Sequence, residues 1–142
     1  MYSYFDDKSA VFAAAGERQH SYVENVGGGK FDVQTAAVDI VRALHSDSSI
    51  ALHRMMIGEA QQFPELAAAF YESGPAKSIA FLGEVLFEQY GEDAVSVADQ
   101  LYTLLLGEEH RRRLLGLTPE PTPERARALA TRAIECVLGF RR

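Results

Sequence analysis

The chain has 142 residues, 14 Lys+Arg against 20 Asp+Glu for a formal charge of −6, one cysteine and no tryptophan. That length fits one domain of the usual ~100–200 residues, and 47% hydrophobic with 24% charged residues is enough apolar material for a core, which excludes a disordered chain. A membrane span needs about 18 or more consecutive apolar residues. The longest stretches free of Asp, Glu, Lys and Arg, residues 9–16 and 100–107, fall far short, so no membrane partner is expected. Asp6, Asp7 and Lys8 interrupt the place where the apolar stretch of a signal peptide would lie. A lone Cys136 cannot close an internal disulfide, which fits a reducing cytoplasm. The acidic balance argues against nucleic-acid binding by the chain as a whole, because that chemistry calls for a basic face.

Every periodic segment reads as helix, and none alternates apolar and polar residues long enough for a strand. A first helix is expected from Asp6 or Asp7, with Val11, Phe12, Ala15, Tyr22, Val23 and Val26 on one face, ended by Gly27-Gly28-Gly29. Asp32 caps the next helix, where Val33, Ala36, Ala37, Ile40, Val41 and Leu44 follow the i, i+3, i+4, i+7 pattern. Ser46-Asp47-Ser48-Ser49 ends that helix and caps a third, lined by Leu52, Met55, Met56, Ala60 and Phe63. Pro64 suits the first turn of a short helix through Leu66, Ala67, Phe70 and Tyr71, and Gly74-Pro75 punctuates again.

Residues 75–90 are apolar on more than one side through Ile79, Phe81, Leu82, Val85, Leu86 and Phe87, which predicts a helix buried in the middle of the domain. A long helix is expected from Gly91 to about Leu115. Pro119, Pro121 and Pro123 stiffen the connector to a last helix capped by Thr122, with Pro123 in its first turn. That helix carries Ala126, Leu129, Ala130, Ala133, Ile134, Val137, Leu138 and Phe140 on two adjoining faces. The last two helices are thus too apolar for a monomer and predict a four-helix interface in a homodimer. Leu101, Leu104, Glu108, Arg111, Leu115, Ala126, Ala130, Ala133, Val137 and Phe140 are expected to line it. The fold class is all-α, a bundle of six to seven helices.

Two stretches carry a resemblance. Met1-Tyr2-Ser3-Tyr4-Phe5-Asp6-Asp7-Lys8-Ser9-Ala10-Val11-Phe12 resembles the junction in TetR-family transcriptional repressors between the end of the recognition helix and the start of the connecting helix. The run Phe63-Pro64-Glu65-Leu66 through Gly74-Pro75, and the Leu-Leu-Leu-Gly-Glu and Leu-Leu-Gly-Leu stretches within 104–117, are similar to the effector domain of the AefR-like branch. The resemblance implies residues 1–5 as a remnant of the recognition helix and 6–142 as a ligand-binding and dimerisation domain. Met1 falls where the last turn of the recognition helix would be, so operator DNA is expected as a partner only where an intact helix-turn-helix precedes it. In that intact form Tyr2, Tyr4 and Lys8 would touch operator phosphates, contacts that set register without reading sequence.

The resemblance also implies a cavity for a small hydrophobic effector. His53, Met55, Met56, Ile57, Phe70, Phe81, Leu82, Leu86, Phe87, Tyr102 and Leu105 supply the soft, aromatic and polar side chains such a site uses. Other constellations read as structural. Glu17-Arg18-Gln19-His20 has no second copy to complete a di-iron site, and His45, His53 and His110 lack zinc-ligand spacing, so neither metal nor cofactor is expected. Gly27-Gly28-Gly29-Lys30 lacks the rest of a phosphate loop. Cys136 is expected to be buried packing, and Glu108-Glu109-His110-Arg111-Arg112-Arg113 a solvated or dimer-edge face. No nucleophile–base or acid–base pair is legible, so an enzyme is not expected. The leading expectation is the ligand-sensing, dimerising domain of a repressor. The alternative is an interaction protein that forms helical homodimers, or inactive heterodimers with a full-length relative.

Overall fold

The computed structural model describes residues 32–139; the expected first helix, the glycine run, Tyr2, Tyr4, Lys8 and Phe140 lie outside them. Among the described residues the regular elements are α1 Val33–Leu44, α2 Asp47–Glu59, α3 Pro64–Ser73, α4 Pro75–Tyr90, a 3-10 turn Gly91–Asp93, α5 Ala94–Leu114 and α6 Pro123–Leu138. The expected caps operate. The Asp32 carboxylate accepts the Thr35 N–H at 2.7 Å, and the Ser46 and Thr122 hydroxyls accept the N–H of Ser49 and Arg125. Each side chain satisfies a first-turn amide that the helix itself leaves unpaired.

The main core joins Ala36, Ala37, Ile40, Val41 and Leu44 of α1 to Leu82 and Leu86 of α4, the inner face of α5, and Ala126, Ala130, Ala133 and Val137 of α6. α4 packs along α5 and α1 along α6, where facing alanines let the helices approach closely. A second, smaller cluster joins Leu52 and Met56 of α2 to Leu66 and Phe70 of α3.

This packing corrects several expectations. Ala126, Ala130, Ala133 and Val137 are buried within the chain against α1, and Leu101 is fully buried in the main core, so none of the five is left to meet a second subunit. Helix α4 is not enclosed: Phe87 is 62% exposed, and only Ser78, Leu82, Gly83 and Leu86 are fully covered. Cys136 is exposed rather than packed.

Helix α5 breaks once, at Gly107, whose φ of 58° and ψ of −173° interrupt the helical path. That region of backbone space is open essentially to glycine alone. A Cβ added there would meet nothing within 4 Å, so an alanine would pay only the backbone cost. Gly107→Ala is therefore expected to destabilise the domain by roughly 1–2 kcal/mol, read by urea unfolding. A neutral result would show that the break relaxes freely.

Candidate functional site

Three histidines scattered through the sequence meet between the two hydrophobic clusters. His45 caps the C-terminus of α1, His53 lies in the middle of α2, and His110 follows the break in α5. The His110 ring stands edge-on to both others, with centroids 5.4 Å from His45 and 5.1 Å from His53. The His53 ring also meets Phe70 of α3 edge-on at 5.1 Å, which ties the histidines to the smaller cluster. His45 and His110 are buried and His53 is half-buried.

Backbone carbonyls fix two of the rings. His45 Nε2 lies 3.0 Å from the Leu105 carbonyl, and His53 Nδ1 lies 2.9 Å from the Ser49 carbonyl. A carbonyl only accepts, so these nitrogens carry the protons, and His45 Nδ1 and His53 Nε2 present lone pairs when the rings are neutral. His45 Nδ1 and His110 Nε2 are buried without a hydrogen-bond partner among the described residues. Burial, opposed by the Ser49 carbonyl, lowers the His53 pKa. Burial also lowers that of His45, with a smaller downward push from Arg113, against the Leu105 carbonyl and Glu109. His110 is pushed down to about 4, first by burial and then by the charges of His53, His45 and Arg113. All three are neutral imidazoles at pH 7. No group of three His, Cys, Asp or Glu side chains among the described residues is arranged to hold a metal ion.

Arginines brace this cluster. Arg113, buried on α5, donates from Nε and Nη2 to the His45 carbonyl at 3.1 and 2.8 Å, from Nη1 to the Thr118 carbonyl, and from Nη2 to Asp47 Oδ1 at 2.8 Å. It thereby caps the C-terminus of α1 with a cation, where the helix dipole favours one. Arg54 of α2 does the same for α5, donating to the Arg113 and Leu114 carbonyls, both at 2.9 Å. The turn beyond α5 closes with Leu117 N–H on the Arg112 carbonyl and Gly116 N–H on that of Arg113, with Gly116 at φ 74°, a Schellman motif. Glu120 Oε1 then accepts the Asp47 N–H at the start of α2.

The acid–base run is therefore divided. Glu108–Arg111 is a surface pair and Glu109 joins Arg112 and Arg125, whereas His110 and Arg113 are buried and belong to the cluster rather than to a solvated face.

The side chains expected to line a pocket are dispersed. His53 reaches the cluster directly, Met56 and Phe70 belong to the smaller hydrophobic cluster, and Leu82, Leu86, Tyr102 and Leu105 belong to the main core. Ile57 is 64% exposed, and with it Met55 and Phe87 also face outward, so these three are corrected away from any internal site. His45 and Arg113 are the residues that sequence reasoning missed. The i, i+3, i+4 pattern marks apolar faces, and only the crossing of α1, α2 and α5 brings positions 45, 53 and 110 together.

The described residues thus form an all-helical bundle with a histidine seam between two hydrophobic clusters. The chain belongs to the AefR-like transcriptional repressor C-terminal domain family, whose model matches residues 33–140. It is thus a TetR-type regulator domain, as the Phe-Pro-Glu-Leu stretch within the matched residues implied. No curated protein and no solved structure matches it.

Proposed function

We propose that this domain senses a small hydrophobic effector and dimerises, without enzymatic activity, as the regulatory part of a TetR-type repressor. The observation that carries the reading is the histidine seam: buried polar atoms without partners among the described residues, set between apolar clusters of a repressor domain. Sites for small molecules combine apolar walls with a few convergent polar groups. The walls are assigned to Met56, Phe70, Tyr102 and Leu105, with Leu82 and Leu86 behind them in the main core. Where a helix-turn-helix precedes Met1, Tyr2, Tyr4 and Lys8 are assigned to operator phosphates.

The dimer surface is assigned to Leu104, Glu108 and Arg111 of α5 and its C-cap Leu115, all of them exposed, Leu115 by 67%. Light scattering at micromolar protein is expected to return twice the 15.7 kDa chain mass. Leu104→Glu with Leu115→Glu is expected to return one chain mass. A monomeric native chain would remove the dimer.

An effector at a hundred times its Kd adds about 2.7 kcal/mol, so a panel of lipophilic amines, phenols and acyl compounds is expected to contain members that raise the melting midpoint by several degrees. A panel without any shift would remove effector sensing.

A further inference from the structure

The polar group of an apolar effector would have to meet the histidine seam. We propose that the His45, His53 and His110 imidazoles are the polar recognition head of the effector site and select an uncharged ligand that presents a hydroxyl donor, such as an alkylphenol. The inference rests on the effector-sensing reading and specifies its ligand class.

Two carbonyls dictate the polarity of the head. Leu105 holds the His45 proton on Nε2 and Ser49 holds the His53 proton on Nδ1, so both free nitrogens accept. The His110 Nε2 is buried without a partner among the described residues. The His110 ring stands edge-on between the other two rings and can take either tautomer. The head therefore offers two fixed acceptors and one adaptable nitrogen, and those of His45 and His110 are buried, where an unmet lone pair is costly.

Charge narrows the class. A ligand ammonium would enter beside the buried Arg113 guanidinium, whose Nε and Nη2 both sit on the His45 carbonyl. A carboxylate would set its lone pairs against those of the imidazoles, unless a buried ring took a proton, which burial opposes. A neutral O–H meets neither penalty. The Phe70 ring against His53, with Met56 and Leu52 in the same cluster, supplies an apolar wall for the rest of the molecule.

The test is calorimetric titration of the full 142-residue chain at pH 7.5 with 4-butylphenol, its methyl ether 4-butylanisole, and 4-butylbenzoate. Losing the donor while keeping the apolar body strands a buried acceptor, so the phenol is expected to bind about tenfold tighter than the ether, or more. The benzoate is expected to be weaker than the phenol. His53→Phe, which keeps a ring against Phe70, and His110→Phe are each expected to bring phenol and ether to within about twofold. Side-chain nitrogen NMR of the native chain gives a readout independent of folding in the variants: the acceptor nitrogens of His45 and His53 are expected to shift upfield on adding the phenol. Equal binding of phenol and ether, or preference for the benzoate, overturns the hydroxyl assignment while leaving effector sensing intact. No binding by any of the three also overturns it, and the wider melting panel then decides effector sensing separately. Unmoved imidazole signals under saturating phenol overturn it as well, because they place the ligand elsewhere.

Discussion

Arg113→Ala is expected to be among the most damaging single substitutions in the domain, costing about 4 kcal/mol of unfolding free energy. The guanidinium occupies a 5% exposed position and carries four hydrogen bonds, two of them to the last carbonyl of α1's cap residue. Removing it strands the His45 and Thr118 carbonyls and unpins the turn after α5 from the α1–α2 corner. Arg113→Lys is expected to recover about half the loss, because one ammonium cannot reproduce a planar fork that serves two carbonyls. Asp47→Ala separates the ion pair from the carbonyl contacts. Its carboxylate side chain is 81% exposed, so its loss is expected to cost under about 1 kcal/mol. Urea unfolding of the three variants checks the order. An Asp47→Ala cost equal to that of Arg113→Ala would show that the ion pair, not the capping, holds the corner.

Acid is expected to loosen the same region. The folded-state pKa of His110 is depressed to about 4 from an ordinary 6.5, so the unfolded chain binds the proton more readily than the native one. Stability from this group is then fully present above about pH 6.5 and is lost as the pH falls toward 4. At 1.36 kcal/mol per pKa unit the full loss from His110 alone is roughly 3 kcal/mol, of which about 2 kcal/mol is gone by pH 5. His45 and His53 are shifted in the same direction and steepen the decline. Unfolding measured between pH 7.5 and 5.0 is expected to show this slope, and His110→Gln to flatten it by about 2 kcal/mol over that range. A variant slope equal to the native one would place a charged or solvated His110 in the folded state.

The helices and their ends were legible from local chemistry. Asp32, Ser46 and Thr122 each accept the amide three residues on, as their positions before periodic segments predicted. The Pro64 and Pro75 starts held for the same reason, since a proline in the first turn gives up no helical hydrogen bond. The family was legible as well, through motifs that the matched residues 33–140 contain.

Which apolar face meets which neighbour was not legible. Periodicity marks a residue as apolar-facing without naming its partner, so Ala126, Ala130, Ala133 and Val137 read equally well as subunit contacts and as the seat of α1, which is where they lie. The same limit hid the polar seam. Local sequence determined the six helices among the described residues, the side-chain caps of three of them and the family; tertiary packing alone decided that imidazoles 45, 53 and 110 meet. Hydrogen bonds within one turn depend on neighbours three or four residues away, whereas this cluster depends on how α1, α2 and the broken α5 cross.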